Sequence, residues 1–296
     1  MRAEYREEPC TSALNAVRGM PFRWSLNPYM GCAHRCTFCY VRAFEARADR
    51  DPGDGYGRSI RVKVNVAEVL RRELGRRGWA REEVTIGAAT DPYQPAEGRY
   101  RLTRACIDAL ATSGTPFSII TRGPLVLRDV DLLRDASRAV KVGVHVSIPT
   151  LDERVWRTTE PATAPPARRL DVVRQLASVG IDVGVAVAPI LPGLSDRPAQ
   201  LRAVVHAARA AGARAIWANI VYLKPGTREH FLAALARDWP EELERYEQLY
   251  HGRSYLPDSV VLPAKEAVRR AAAEAAAHTR PVIRPAPRPM QLALTA

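Results

Sequence analysis

The chain has 296 residues, 47% hydrophobic and 26% charged, which suits a globular fold with a substantial core in one large domain or two small ones. No apolar run approaches the ~20 residues that a membrane-spanning helix needs. The opening MRAEYREEPC is charged and lacks the apolar stretch of a signal peptide, so a cytoplasmic protein with no membrane partner is expected. Net charge is +12, and Lys63, Lys141, Lys224 and Lys265 are the only lysines among 44 basic residues. Such a surface attracts phosphates, which makes a nucleic-acid partner one reading. The arginine skew equally suits a GC-rich genome.

Short apolar segments at 23–29, 84–89, 117–121, 142–148, 182–188 and 214–220 are predicted as strands, with helix-period patterns between them. Leu102, Ala105, Cys106, Ala109 and Leu110 share one helical face, as do Leu170, Val173, Leu176 and Ala177, and again Leu201, Val204, Val205 and Ala208. Gly114, Gly180 and Gly212 fall just after these helices, where a left-handed cap is wanted. This alternation implies an α/β fold with right-handed crossovers. Six units are too few to close an eight-fold barrel but enough for an open, partial TIM-type (β/α)6 barrel. An insertion at 43–78 carries an extra strand-like piece, 60–66, and an Arg-rich helix whose Arg71, Arg72 and Arg76 alternate with Glu68 and Glu73 like a solvated face. Helices are predicted at 229–236, 241–250 and 264–278. The core domain is drawn at 11–250, a C-terminal helical extension at 251–280, and a Pro-rich tail at 281–296.

Active sites of parallel β/α folds gather at the carboxyl ends of the strands. The first strand end carries Cys32-Ala-His-Arg-Cys36-Thr-Phe-Cys39, three cysteines spaced C-x3-C-x2-C in one loop. A closed zinc site needs four ligands, and His34 sits inside the first gap, where reaching the same ion strains the loop. A four-cysteine iron–sulfur site is one thiolate short. Three thiolates suit a cubane cluster whose fourth iron keeps an open position; three unrelated core cysteines are the plain alternative.

The loop resembles the radical S-adenosylmethionine superfamily. The stretches NPYMGCAHRCTFCY, TDPYQPAEGRYRLTR, ITRGPLVLRDVDLL, VSIPTLDE and PILPGLSD, within residues 11–250, resemble its spore photoproduct lyase-related bacterial group. The resemblance implies that Cys32, Cys36 and Cys39 hold a [4Fe-4S] cluster that binds S-adenosylmethionine and, once reduced, cleaves it to a 5'-deoxyadenosyl radical. It also implies an external electron donor such as flavodoxin or ferredoxin. Phe38 takes the aromatic position before the third cysteine, and Tyr40 follows it. Thr90 and Asp91 fall where the superfamily places groups near the methionine amino nitrogen. Thr121 and Arg122 end the third strand, with Arg122 where related lyases commonly carry Lys near the methionine carboxylate. Ser147 matches a small hydroxyl near the ribose or carboxylate, and Ile190 a residue against the adenine.

Each of these has a plainer reading: a loop Asp receiving N–H groups, a solvent-facing Arg, a Ser bonded to backbone, a core Ile. Glu160 and Arg169 read as part of the polar network or as a structural ion pair. In spore photoproduct lyase a cysteine near the end of the second strand returns hydrogen to thymine. Residues 87–91, Gly-Ala-Ala-Thr-Asp, hold no sulfur, Cys106 faces the core, and Tyr93 is a thin substitute. Efficient repair of that lesion is therefore not expected. Three functions compete: a radical enzyme on a nucleic-acid-like or anionic substrate, one that modifies a peptide or metabolite, and a non-catalytic iron–sulfur or zinc protein.

Overall fold

The computed structural model describes residues 3–277. Its strands are β1 Glu4–Glu8, β2 Leu14–Ala16, β3 Trp24–Leu26, β4 Tyr29–Met30, β5 Ser59–Lys63, β6 Val84–Ile86, β7 Phe117–Thr121, β8 Val142–Ser147, β9 Asp182–Ile190 and β10 Ala215–Ile220. The main sheet runs β10-β9-β8-β7-β6-β3-β2; all neighbours are parallel except β2, which lies antiparallel on β3. Six parallel strands in sequential order, with β10 unpaired to β3, form the open partial barrel. Ile86 pairs with Ile119 and Thr121 with Val146, so the strands run in register toward one rim, with β7 reaching two residues past β6.

Val144, Val146, Val183, Val185 and Val187 are fully covered. Such β-branched runs suit strands buried on both faces, each side chain contributing about 1.5–3 kcal/mol. Helices Val66–Leu74, Leu102–Thr112, Val130–Ala139, Pro166–Ser178 and Pro198–Ala210 supply the crossovers. They bury Leu70, Leu110, Leu133, Leu176 and Val205 against the sheet. Gly114, Gly180 and Gly212 all take positive φ after their helices.

The first predicted strand is two strands. The chain leaves the main sheet after Leu26, passes Asn27 and Pro28, and enters a second sheet, β1-β5-β4. Pro28 has no N–H to offer a ladder, and the Asn27 side chain accepts from the Ala89 and Thr90 N–H groups instead. The strand-like piece of the insertion is β5, with Ile60 and Val62 buried, paired to β4 and to the charged β1. Glu73 corrects the reading of a solvated face. It is buried and accepts from Ser12 Oγ and the Ala13 and Leu14 N–H groups. The last described helix is Asp258–Ala277, which begins before the predicted 264 and packs on β10 and Pro198–Ala210. The Pro-rich stretch 281–296 lies outside the described residues. Among those described, no helix is long and apolar enough to cross a membrane.

Candidate active site

The small sheet launches the cysteine loop, for Met30 ends β4 and Cys32 follows two residues later. The loop is fastened on every side. Gln94, fully buried, accepts from Ala33 N–H at 2.9 Å and donates to Gly31 O at 3.0 Å. Arg42 donates from Nε to Cys36 O and from Nη1 to Pro52 O and Gly53 O, and its guanidinium lies 4.6 Å from the Tyr56 ring centroid. Thr227 Oγ1 donates to Cys39 O at 3.1 Å, and Thr37 N to Thr159 O at 2.9 Å. Gly57 permits the closest approach: at φ +76°, a Cβ there would lie 2.3 Å from Cys32 O.

Cys32, Cys36 and Cys39 are free thiols. Burial pushes Cys36 and Cys39 up; the charges of the other two cysteines add to the rise at Cys36, that of Cys32 at Cys39, while Arg122 opposes at Cys36 and Tyr56 at Cys39. Tyr56 Oη lies 3.4 Å from Cys39 Sγ. The thiols thus feel one another. Three cysteines in one loop are one thiolate short of a closed four-cysteine site, and they are the donor set of a [4Fe-4S] cluster whose fourth iron keeps an open position. The donor set fits that cluster.

His34 turns inward, its Nδ1 3.3 Å from Asp91 Oδ2. Burial works against its charge, but Cys32 and Asp91 outweigh burial and raise it to about 10. Asp91 is a hub: Oδ1 accepts from Tyr93 N–H at 2.9 Å and Thr121 Oγ1 at 2.7 Å, and Oδ2 from Arg122 N–H at 2.6 Å. Burial would raise Asp91, but His34 and these donors hold it down to about 2. Thr90 Oγ1 donates to Tyr29 O at 2.8 Å. Thr90, Asp91 and Thr121 are therefore engaged by protein partners and knit the second and third strand ends together.

Arg122 donates from Nε to Glu160 at 2.7 Å and from Nη2 to Ala188 O at 3.2 Å, with its guanidinium 5.7 Å from the Phe38 ring centroid. It is not the solvent-facing arginine of the plain reading. Glu160 also accepts from Arg169 at 3.0 and 3.1 Å; Arg169 reaches Ser147 O and Ala164 O at 2.9 and 2.8 Å. Ser147 and Ile190, both buried, end β8 and β9. Phe38 is buried beside Arg122, and the Tyr40 hydroxyl donates to Ala88 O. Cys106 is fully buried in its helix, and Tyr93 spends its hydroxyl on Asp129 at 3.1 Å. Gln94, Arg42, Tyr56 and Thr227 were missed by sequence reasoning. Gln94 lay within a stretch already singled out, TDPYQPAEG, as a polar residue between two prolines; the others carried no signal.

Residues 26–202 match the family model of the Radical SAM superfamily. An uncharacterized protein of Mycobacterium tuberculosis is 42% identical over 86% of this chain and 76% of its own. The radical SAM Nalpha-GlyT isomerase of Pseudomonas phage M6 is 28% identical over 56% of this chain and 33% of its own. Among solved structures, spore photoproduct lyase superposes with a TM-score of 0.68 at 16% identity, covering 91% of this chain and 79% of that one. A complex of that enzyme with AdoMet and a dinucleoside spore photoproduct gives 0.64 at 17%, covering 88% and 76%.

Proposed function

Because the chain belongs to the radical SAM superfamily, whose cofactors are a [4Fe-4S] cluster and S-adenosylmethionine, we propose that it is a radical enzyme acting on a nucleic acid other than the spore photoproduct. The observation that carries the reading is the cysteine loop: three free thiols within eight residues, fastened to the rim of an open barrel through Ala33–Gln94 and His34–Asp91. Bound there, the reduced cluster would cleave S-adenosylmethionine to a 5'-deoxyadenosyl radical that abstracts a hydrogen atom from substrate.

Cys32, Cys36 and Cys39 are the cluster ligands in this reading. Phe38, Tyr40 and Ile190 give the cofactor apolar walls. Ser147 offers a hydroxyl toward ribose or carboxylate. Arg122, held by Glu160 and Ala188 O, presents a fixed cation for the methionine carboxylate. Thr90, Asp91 and Thr121 position these groups and border the amino end. Burial of the loop excludes water from a reactive radical. An electron donor such as flavodoxin or ferredoxin supplies the reducing equivalent. We place the enzyme in the cytoplasm, where its free thiols persist.

The nucleic-acid reading is supported by the net charge of +12 and by the likeness in fold to spore photoproduct lyase, seen with a dinucleoside spore photoproduct bound. The spore photoproduct is set aside because Ala88 and Ala89 hold the second strand end and Cys106 is buried elsewhere. The test is anaerobic reconstitution followed by iron, sulfide and 5'-deoxyadenosine analysis, with and without oligonucleotide. About four irons per chain are expected, lost on Cys36→Ala and kept on Cys106→Ala, with deoxyadenosine formed under dithionite. Stoichiometric zinc without iron, or an intact cluster with no deoxyadenosine, sinks the enzyme reading. Clean multi-turnover repair of a synthetic spore photoproduct sinks the substrate exclusion.

A further inference from the structure

Four aromatic rings run outward from the cysteine loop. Tyr40 follows Cys39, and its ring centroid lies 5.7 Å from Phe44 on one side and 5.7 Å from Tyr222 on the other. Tyr222 stacks on Tyr255 at 5.2 Å and 20°. The two outer rings are exposed, Phe44 to 42% and Tyr255 to 58%. Each carries a cation: the Arg47 guanidinium lies 4.9 Å from the Phe44 centroid, and Lys224 Nζ 5.6 Å from that of Tyr255.

The path joins the two ends of the open sheet. Tyr40 and Phe44 come from the segment after β4, while Tyr222 and Tyr255 follow β10. Its innermost ring is tied to the site, since the Tyr40 hydroxyl donates to Ala88 O just past β6. A tyrosine stacked on a partly buried neighbour yet itself 58% exposed is not explained by core packing. A row of rings with a cation at each exposed end offers unstacked bases an aromatic surface and offers the phosphate backbone a charge beside it.

We propose that Phe44, Tyr40, Tyr222 and Tyr255, with Arg47 and Lys224, form a stacking path for the bases of a single-stranded or locally unpaired nucleic acid, leading its target nucleotide to the cysteine loop. The inference deepens the nucleic-acid reading above and rests on it. A duplex offers no free base faces along its length, so the path selects unpaired strands.

The test is fluorescence anisotropy of the anaerobically reconstituted full chain with a labelled mixed-sequence 12-nucleotide DNA strand and with its duplex, across a salt series. Iron content and circular dichroism report that each variant is folded and loaded. The single strand is expected to bind more tightly than the duplex. Tyr255→Ala should weaken single-strand binding about ten-fold, as loss of one stacking ring does, and Tyr255→Phe should restore it. Lys224→Ala should flatten the salt dependence by about 0.7 of a logarithmic unit per unit, one phosphate contact on a single strand. If the wild type binds the strand and both Tyr255→Ala and Tyr222→Ala bind equally well, the stacking path is wrong while the nucleic-acid reading stands. If the wild type binds neither strand nor duplex, both fall.

Discussion

Two arginine–carboxylate networks sit in this barrel, and they differ in how much water reaches them. At the strand ends Glu160 lies between Arg122, which keeps 20% of its side-chain surface, and Arg169, which is fully covered. Behind the second strand, Glu97 and Asp129 are equally covered, but their partners Arg104 and Arg128 keep 35% and 23% of their side-chain surface. A covered guanidinium must find a protein acceptor for every N–H. Arg169 therefore recruits Ser147 O, Ala164 O and Thr163 Oγ1, and Arg122 recruits Ala188 O, so the first network is welded to the ends of β8 and β9. Arg104 and Arg128 let solvent take part of that load, and their network clamps helices and a turn: Pro95–Tyr100, Leu102–Thr112 and the 3-10 segment Pro124–Asp129. The same pair of groups positions the candidate site in one place and braces the fold in the other.

The sharpest way to break the comparison is Glu160→Ala. It strands the fully buried Arg169, which costs about 3–5 kcal/mol, and it frees the partly exposed Arg122. Urea unfolding should show the loss, and S-adenosylmethionine affinity should fall with it. A variant of wild-type stability would mean that the first network braces nothing.

A second distinction is made by acid. The Asp91 carboxyl sits at about 2 in the folded chain against its ordinary 3.8. A depressed carboxyl contributes its stability above the unfolded value and loses it as pH falls through the folded one. Stability of the cluster-free protein should therefore drop between about pH 4 and pH 2, and Asp91→Asn should flatten that limb while lowering stability at neutral pH. An unchanged limb would remove Asp91 from its place as the hub.

Asp129→Asn attacks the other network. With water to screen Arg104 and Arg128, the cost should be about 1.5–3 kcal/mol, the worth of hydrogen bonds to a charged group, and iron content should be unaffected. Loss of the cluster on Asp129→Asn would erase the difference between the two networks. The smallest effect is expected from Tyr93→Phe, which removes one hydroxyl from Asp129 but leaves it both arginines, and should cost about 1.5 kcal/mol, the low end of that range, in thermal unfolding, with deoxyadenosine formation retained.

The difference between the networks also shows what a sequence can reveal. Periodicity found the six parallel strands because Val, Ile and Phe recur in short runs, and spacing found the three cysteines because a metal loop is local. Glu160 and Arg169 were named together, nine residues apart in one segment. Their tie to Arg122 was invisible, because it depends on which strand end lies beside which. Glu73 was misread for the same reason: its partners at residues 12–14 lie on an antiparallel edge that no local pattern announces. β1 escaped because Glu-Tyr-Arg-Glu-Glu is charged and half exposed, so it carries no alternation to detect. Arg42 looked like one arginine among many, yet it is buried because four carbonyls converge on it.

The cover of β10 has a consequence for how the chain is made. Helices Thr227–Asp238 and Pro240–Leu249 come first after that strand, and only then does Asp258–Ala277 pack against it, burying Ala264, Val268 and Ala271. On a ribosome the strand emerges well before its cover, and contacts between distant segments form slowly. During that interval a strand edge and its apolar neighbours stand open to other chains. Yield of folded protein should thus depend on the C-terminal helix more steeply than chemistry does. A chain cut before Asp258 is expected to be lost to aggregates before its cysteines ever meet iron.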